Sequence, residues 1–308
     1  MTPRIEVQGL TRHFGGRAAV EGLSFSVQSG EVFGLLGPNG AGKTTTVRML
    51  TGLLRPSSGT ARVCGHSLAE GEALRRSVGL LTEQPGLYDR LTARENLRFF
   101  MRLNELDEAQ AWPRAESYLR RFGLAGREDE PVGSYSKGMR QKLAIVRALV
   151  HDPEVLFLDE PTSGLDPEAA RTVRDAVAEL AADGRTIVLC SHNLAEVERL
   201  CGRVAVVRTR LLAEGPISVL RRRGTVLEVR VEGEGAVAAR ALVPLGVSWT
   251  AHGPLLRVTL NDERQGPDAV AALVGAGIRV RSVTPSERSL EDFYLELMQG
   301  TDGEESAA

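Results

Sequence analysis

Lysine is nearly missing from this chain of 308 residues: Lys43, Lys137 and Lys142 are the only three, and the remaining long cations are arginines. Codon bias is the plain reading of the imbalance, which makes the surviving lysines worth locating. Lys43 lies in GPNGAGKTTT (37–46) and Lys137 in SYSKGMRQKL (134–143). Cysteine is equally scarce. Cys64, Cys190 and Cys201 are odd in number, widely spaced and without metal-ligand spacing, which excludes a disulfide framework and suits a reducing compartment, the cytosol. An excess of either charge is absent too. With 38 Lys and Arg against 40 Asp and Glu, the net charge of -2 offers no overall basic field, so nucleic acid is not an expected partner. No apolar run approaches the ~20 residues of a membrane-spanning helix, and MTPRIEVQGL shows no charged-then-apolar leader. Any work at a membrane is therefore expected to pass through a partner.

What is present is the composition of an ordinary globular protein, 42% hydrophobic and 25% charged, with length enough for two domains. RIEVQGL and LSFSVQSG read as strands around a turn at Phe14, Gly15 and Gly16, and EVFGLL reads as a buried strand running into the Gly-rich stretch. TTTVRMLTGLL then reads as a helix. A helical insertion is expected over about 87–150, with Pro113 in a first turn. EVLFLDEP and RTIVLCSH are buried strands separated by the helix PEAARTVRDAVAELAADG, the alternation that marks a largely parallel sheet. The fold class expected is α/β with a helical subdomain over 1–220. A small α+β domain follows over 221–300, in the strand–helix–strand–strand–helix–strand order of the ferredoxin-like pattern, and a disordered tail over 301–308. Three arginine clusters, in LRRSVG, LRRFG and LRRRG, each precede a glycine. They are read as helix ends with left-handed caps rather than as phosphate sites, with Arg221, Arg222 and Arg223 the alternative candidates for facing anionic lipid.

Residues 37–44 match GxxxxGK followed by Ser or Thr, after a strand and before a helix, which is the context a P-loop requires. Gly37, Gly40 and Gly42 let backbone amides turn inward around phosphate oxygens, Lys43 reaches the β and γ phosphates, and the Thr44 hydroxyl ligates Mg²⁺. The GxGxxG spacing of a dinucleotide site is absent. A phosphate loop next needs a carboxylate at the end of a neighbouring strand, and VLFLDEP supplies Asp159 to hold the metal from its outer side. Glu160 is placed to polarise a water aimed at the γ phosphate. SYSKGMRQKL also reads as a helix start, hence a second anion site far from the P-loop.

GPNGAGKTT, Gln84 in GLLTEQPGLY, SYSKGM, VLFLDEP, SGLD at 163–166 and SH at 191–192 stand in the order seen in the nucleotide-binding subunits of ABC transporters. The chain resembles that family from residue 4 to about 220. The resemblance implies a P-loop NTPase using ATP and Mg²⁺, bound through Gly37, Pro38, Asn39, Gly40, Ala41, Gly42, Lys43, Thr44 and Thr45, with Phe14 stacked on adenine. Stacking is tolerant of the base, so discrimination against GTP is expected to be weak. It further implies that Gln84 senses metal and attacking water, that His192 contacts the γ phosphate, and that Asp166 communicates across a head-to-tail dimer. The segment reading LSGGQ in its commonest form is YSKGM here. Its Ser136 and Gly138 would grip the γ phosphate held by the other subunit, a homodimer mate or a related ATPase, while Lys137 and Met139 depart from the usual Gly and Gln.

The form of that segment, the single nucleotide-binding unit and the ending SLEDFYLELMQG look most like ATPase subunits of two-component ABC-2 exporters, similar to those giving drug and antibiotic self-resistance, whose permease is a separate polypeptide. The alternative is a soluble ATPase clamp working without a permease. Such clamps usually carry two nucleotide domains or a long inserted coiled coil, and neither is seen. A non-catalytic regulator would be expected to lose Glu160 or His192. For the C-terminal domain a dimer brace is favoured over a ligand sensor or a spacer.

Overall fold

The computed structural model describes residues 3–305 apart from 222–224, 261, 263 and 287. The chain divides into two compact units, Met1–Glu214 and Gly215–Ala308, and the division falls inside a strand.

The first unit begins with a hairpin, β1 (Ile5–Phe14) and β2 (Arg17–Val27). It continues through β3 (Val32–Leu36), α1 (Lys43–Leu50), β4 (Ser58–Val63), β5 (His66–Ser67), α2 (Gly71–Ser77) and β6 (Val78–Leu81). Three longer helices follow, α3 (Ala93–Leu103), α4 (Glu108–Arg121) and α5 (Lys137–Leu149). The unit closes with β7 (Val155–Asp159), α6 (Pro167–Ala182), β8 (Thr186–Ser191), α7 (Leu194–Leu200), β9 (Arg203–Arg208) and β10 (Arg210–Pro216).

Two sheets result: β2-β1-β4-β5, which is antiparallel, and β10-β9-β3-β8-β7-β6, which is parallel from β9 to β6. Strands β3, β7 and β8 are buried at every position, as strands covered on both faces must be, and this is why they read as unbroken apolar runs. Phe33 of β3 and Phe25 of β2 stack at 5.5 Å between ring centres, joining both sheets in one core. The parallel register sets Leu36 beside Ser191 and Asp159 beside Cys190. The carboxyl ends of three adjacent strands thus open onto one edge, where α/β sheets place ligands.

The helical segment is pinned by polar contacts. Thr92 and Glu95 form a reciprocal capping box on α3. Fully buried Asn96 accepts from Tyr88 N at 2.8 Å and donates to Tyr88 O and Thr92 O, fixing the loop before the helix. Pro113 lies inside α4, beyond the first turn in which it is expected from sequence.

The arginine clusters divide. Gly123, after α4, does take the left-handed conformation, at φ 65°, and Arg121 pairs with Glu179 and Asp183. After α2 there is no such cap: β6 starts at Val78, and Gly79 is a strand residue whose added Cβ would stand 2.3 Å from Ala148 O. Glycine is required there for close approach to α5. In the third cluster, Arg222, Arg223 and Gly224 lie outside the described residues.

The second unit contains α8 (Ile217–Arg221), β11 (Thr225–Val231), α9 (Gly235–Ala238) running into a 3₁₀ turn at Ala239–Leu245, β12 (Ser248–His252), β13 (Leu255–Leu260), α10 (Gln265–Gly275), β14 (Val280–Ser286) and α11 (Leu290–Glu305). Its sheet order is β12-β13-β11-β14 with every neighbour antiparallel, and the alternation of elements follows the ferredoxin-like pattern. The core is aliphatic, with Val229, Leu242, Leu256, Val258 and Leu273 fully buried. Helix α11 takes in 301–305, the first part of the segment expected to be disordered, and 306–308 lie outside the described residues.

Candidate nucleotide site

Between β3 and α1 the chain makes a tight loop whose glycines answer to geometry. An added Cβ on Gly37 would meet Val207 O at 2.2 Å, and one on Gly42, at φ 96°, would meet Ala19 O at 2.4 Å. Gly42 ends the loop with no side-chain cap on α1, so the first-turn amides of that helix stay available to an anion. Lys43 is bent back over the loop, its Nζ donating to Gly37 O at 2.7 Å and Pro38 O at 3.1 Å. That holds the ammonium at the concave side. Thr44 Oγ1 donates to Asp159 Oδ2 at 2.8 Å, tying the start of α1 to the end of β7.

Asp159 is 3% exposed, and burial pushes its carboxyl above the usual range, against the opposing pull of the Thr44 hydroxyl. A buried carboxylate beside a hydroxyl is a set of hard oxygen donors to which Mg²⁺ is suited, since that ion takes one or two protein ligands and fills the rest from phosphate and water. Thr44 and Asp159 fit the metal. Among the described residues no group of three or more His, Cys, Asp or Glu could form a separate metal cage.

Glu160 adopts φ 50°, the left-handed region that a β-carbon disfavours, and its amide donates to Cys190 O at 2.8 Å to hold it there. This turn detaches the side chain from that of Asp159. Its Oε1 accepts from His192 N at 3.1 Å and lies 2.8 Å from His192 Nδ1. The glutamate is thereby fixed by the loop after β8.

A cavity of about 400 Å³ is lined by the loop from Asn39 to Thr45 together with Asp159, Glu160 and His192. Ala19, Glu83 and Ser163 also line it, and none of these three was singled out from sequence. Glu83 adjoins Gln84 and Ser163 opens SGLD, so both stood next to residues that were. Gln84 itself lines a neighbouring cavity of about 490 Å³, with Lys137 and Gln141 of α5 and again Glu83 and Ser163. Arg147, unmarked by any motif, holds that loop: Nη1 donates to Pro85 O at 2.8 Å and Gly86 O at 3.1 Å, and Nη2 to Leu80 O at 3.2 Å.

Ser136, Gly138, Asp166 and Phe14 are not in the P-loop cavity. Ser136 caps α5, accepting from Met139 N at 3.3 Å, and Asp166 caps α6, accepting from Ala169 N at 2.9 Å. A Cβ on Gly138 would come 2.7 Å from the Ala169 Cβ, so this glycine lets the two helix starts touch. Phe14 stands half-exposed at the end of β1. The three cysteines are free thiols, pushed up by burial, to about 11 for Cys64, and so are poor nucleophiles.

The model of the ABC transporter family matches residues 20–163. A daunorubicin resistance ATP-binding protein of Streptomyces coeruleorubidus is 40% identical over 300 residues, covering 95% of each chain. This chain belongs to the ABC transporter family. A fluoroquinolones export ATP-binding protein of Mycobacterium tuberculosis is 39% identical over 96% of this chain and 93% of its own. Among solved structures, the ATP-binding subunit of an ABC transporter superposes with a TM-score of 0.66 at 36% identity, over 72% of this chain and 92% of that one. Membership makes the first unit an ABC ATPase, a P-loop enzyme that binds and hydrolyses ATP. No helix among the described residues is long and apolar enough to cross a membrane.

Proposed function

We propose that the chain is the ATP-hydrolysing subunit of an exporter whose permease is a separate polypeptide, and that it works on the cytoplasmic face of the membrane. The observation that carries the catalytic part is the Glu160–His192 contact of 2.8 Å on the rim of the P-loop cavity. A carboxylate held by a neighbouring imidazole and a strained backbone is suited to orient a water against the γ phosphate. The resistance and export activities of the relatives support the transport part.

In this reading, the amides from Asn39 to Thr45 and the Lys43 ammonium hold the triphosphate, Thr44 and Asp159 hold Mg²⁺, and Gln84, in the adjoining cavity, senses the metal and the water. When bound, Mg²⁺ neutralises charge across the phosphate oxygens. Phe14 stacks on the base. Ser136 and Gly138 of a second copy, or of a related ATPase, close on the γ phosphate, and Asp166 lies along that contact. Because ADP lacks the γ phosphate, closure follows ATP and reverses after hydrolysis.

The test is Ser136→Arg in the purified full chain. ATP binding is expected to persist and hydrolysis to disappear, because the bulky cation blocks the facing subunit's site while the chain's own P-loop is untouched. Normal turnover by that variant would refute the shared site. Co-purification with a multi-spanning protein from the neighbouring reading frame, and stimulation by it, tests the exporter assignment against a free-standing clamp.

A further inference from the structure

The end of β1 carries an arrangement that phosphate binding does not use. The guanidinium carbon of Arg12 lies over the Phe14 ring, 4.6 Å from its centre. Arg12 is itself held, with Nη1 donating to Arg55 O at 2.9 Å, while Nε is buried without a hydrogen-bond partner among the described residues. The backbone around it is anchored to the same turn: His13 N donates to Ser57 Oγ at 3.1 Å and Ser57 N to Thr11 O at 2.7 Å. Irregularities in the β1–β2 register on both sides of Arg12 re-aim the strand end. Phe14 pairs with Arg17 at the hairpin tip and remains 49% exposed. On the returning strand, Ala19 lines the P-loop cavity, and its carbonyl packs against Gly42.

An exposed phenylalanine at a hairpin tip is ordinarily free to change rotamer. Here one face is covered by a fixed cation, while half of the residue's surface stays exposed. A cation on one face draws π density toward itself, which lowers repulsion between the opposite face and a π-rich purine. It also removes ring conformers that would otherwise have to be frozen on binding. We infer that Arg12 is a positioning residue of the base subsite, which backs Phe14 and sets its opposite face for a purine. This rests on the reading of Phe14 as the stacking platform.

The experiment compares ATP with inorganic tripolyphosphate, both with Mg²⁺, binding to the full chain by titration calorimetry. Arg12→Ala is expected to weaken ATP about two- to fivefold and to leave tripolyphosphate unchanged, because only ATP carries a base. Phe14→Ala should weaken ATP at least as much. Arg12→Ala added to Phe14→Ala should cost nothing further, the mark of a residue that acts through another. Arg12→Gln, which keeps a planar polar end without the charge, serves if the alanine variant folds poorly, and should fall between wild type and alanine. Equal weakening of ATP and tripolyphosphate would mean a general disturbance and overturn the inference. So would an unchanged ATP affinity in Arg12→Ala where Phe14→Ala is weakened. If Phe14→Ala binds ATP normally, the stacking platform itself is refuted.

Discussion

Helix α1 starts behind Gly42, which offers its first-turn amides no side chain, whereas α5 starts behind Ser136, whose hydroxyl already accepts from Met139 N. Both helix starts carry about half a positive charge by virtue of their aligned peptide dipoles. At α1 no side chain among the described residues caps the amides, and Lys43 and the Thr44–Asp159 bond add a cation and oxygen donors. At α5 one amide is satisfied, and the glycine that resembles a phosphate contact also serves packing, since Gly138 sits on Ala169. The first is an anion site whether or not another copy is present. The second is a finished helix cap, and under the proposed function its ligand comes only from a facing subunit.

That contrast breaks most sharply at Glu160. Glu160→Gln keeps the shape and should keep ATP affinity, while single-turnover hydrolysis falls by ~10² to 10⁴. Wild-type turnover would end its role as the base. Lys43→Ala comes next. Loss of charge-assisted bonds to phosphate should lower ATP affinity about a hundredfold or more, readable by nucleotide titration of the isolated chain. No Ser136 variant should do this.

Gly138 tests the other side. Gly138→Ala drives a methyl into Ala169 and should cost ~1 to 3 kcal/mol in urea unfolding, with ATP affinity preserved. Ala169→Gly in the same chain should restore stability. If the alanine variant unfolds like wild type yet no longer hydrolyses ATP, the glycine is there for the facing subunit's phosphate and packing is incidental.

Legibility followed the same line. The P-loop, Asp159 and Glu160 could be read because each is adjacent in sequence to an apolar run that can only be a buried strand, and strand plus motif fixes where the side chains emerge. The loop held by Arg147 could not be read, since its three acceptors are backbone carbonyls on another segment, and carbonyls leave no mark on sequence. Gly79 was misassigned for a related reason. Arg-Arg before a glycine describes a capped helix and equally a helix running straight into a strand, and only contact with Ala148 decides between them. Strand β4 alternates only over Thr60–Val63, with Ala61 and Val63 buried, and so short a run among Ser and Gly does not announce a strand, which leaves the antiparallel sheet legible as its first hairpin alone. Pro113 was assigned to a first turn by the usual preference, and α4 tolerates it a turn later.

The smallest expected effect lies in α7, just after the end of β8. Glu196 is 3% exposed; its Oε2 accepts from Ser191 Oγ at 3.1 Å, and its Oε1 is buried with no hydrogen-bond partner among the described residues. Burial pushes its carboxyl above the ordinary glutamate range, with Glu160 adding in the same direction and Thr162, Ser191 and Arg174 opposing. The folded chain therefore keeps this proton to a higher pH than the unfolded chain does. Between those two values the native state binds more protons, so the contribution of Glu196 to stability declines as pH rises and levels off above the folded value. Glu196→Gln keeps an acceptor for Ser191 and removes the titration. Its stability relative to wild type should climb from about pH 4.5 upward, the ordinary range for glutamate, and then become flat. Urea unfolding of both chains from pH 4 to 8 reads this directly. A difference that stays constant across the range would show that Glu196 titrates as an exposed glutamate does, and that burial on the P-loop side carries no electrostatic cost at this position.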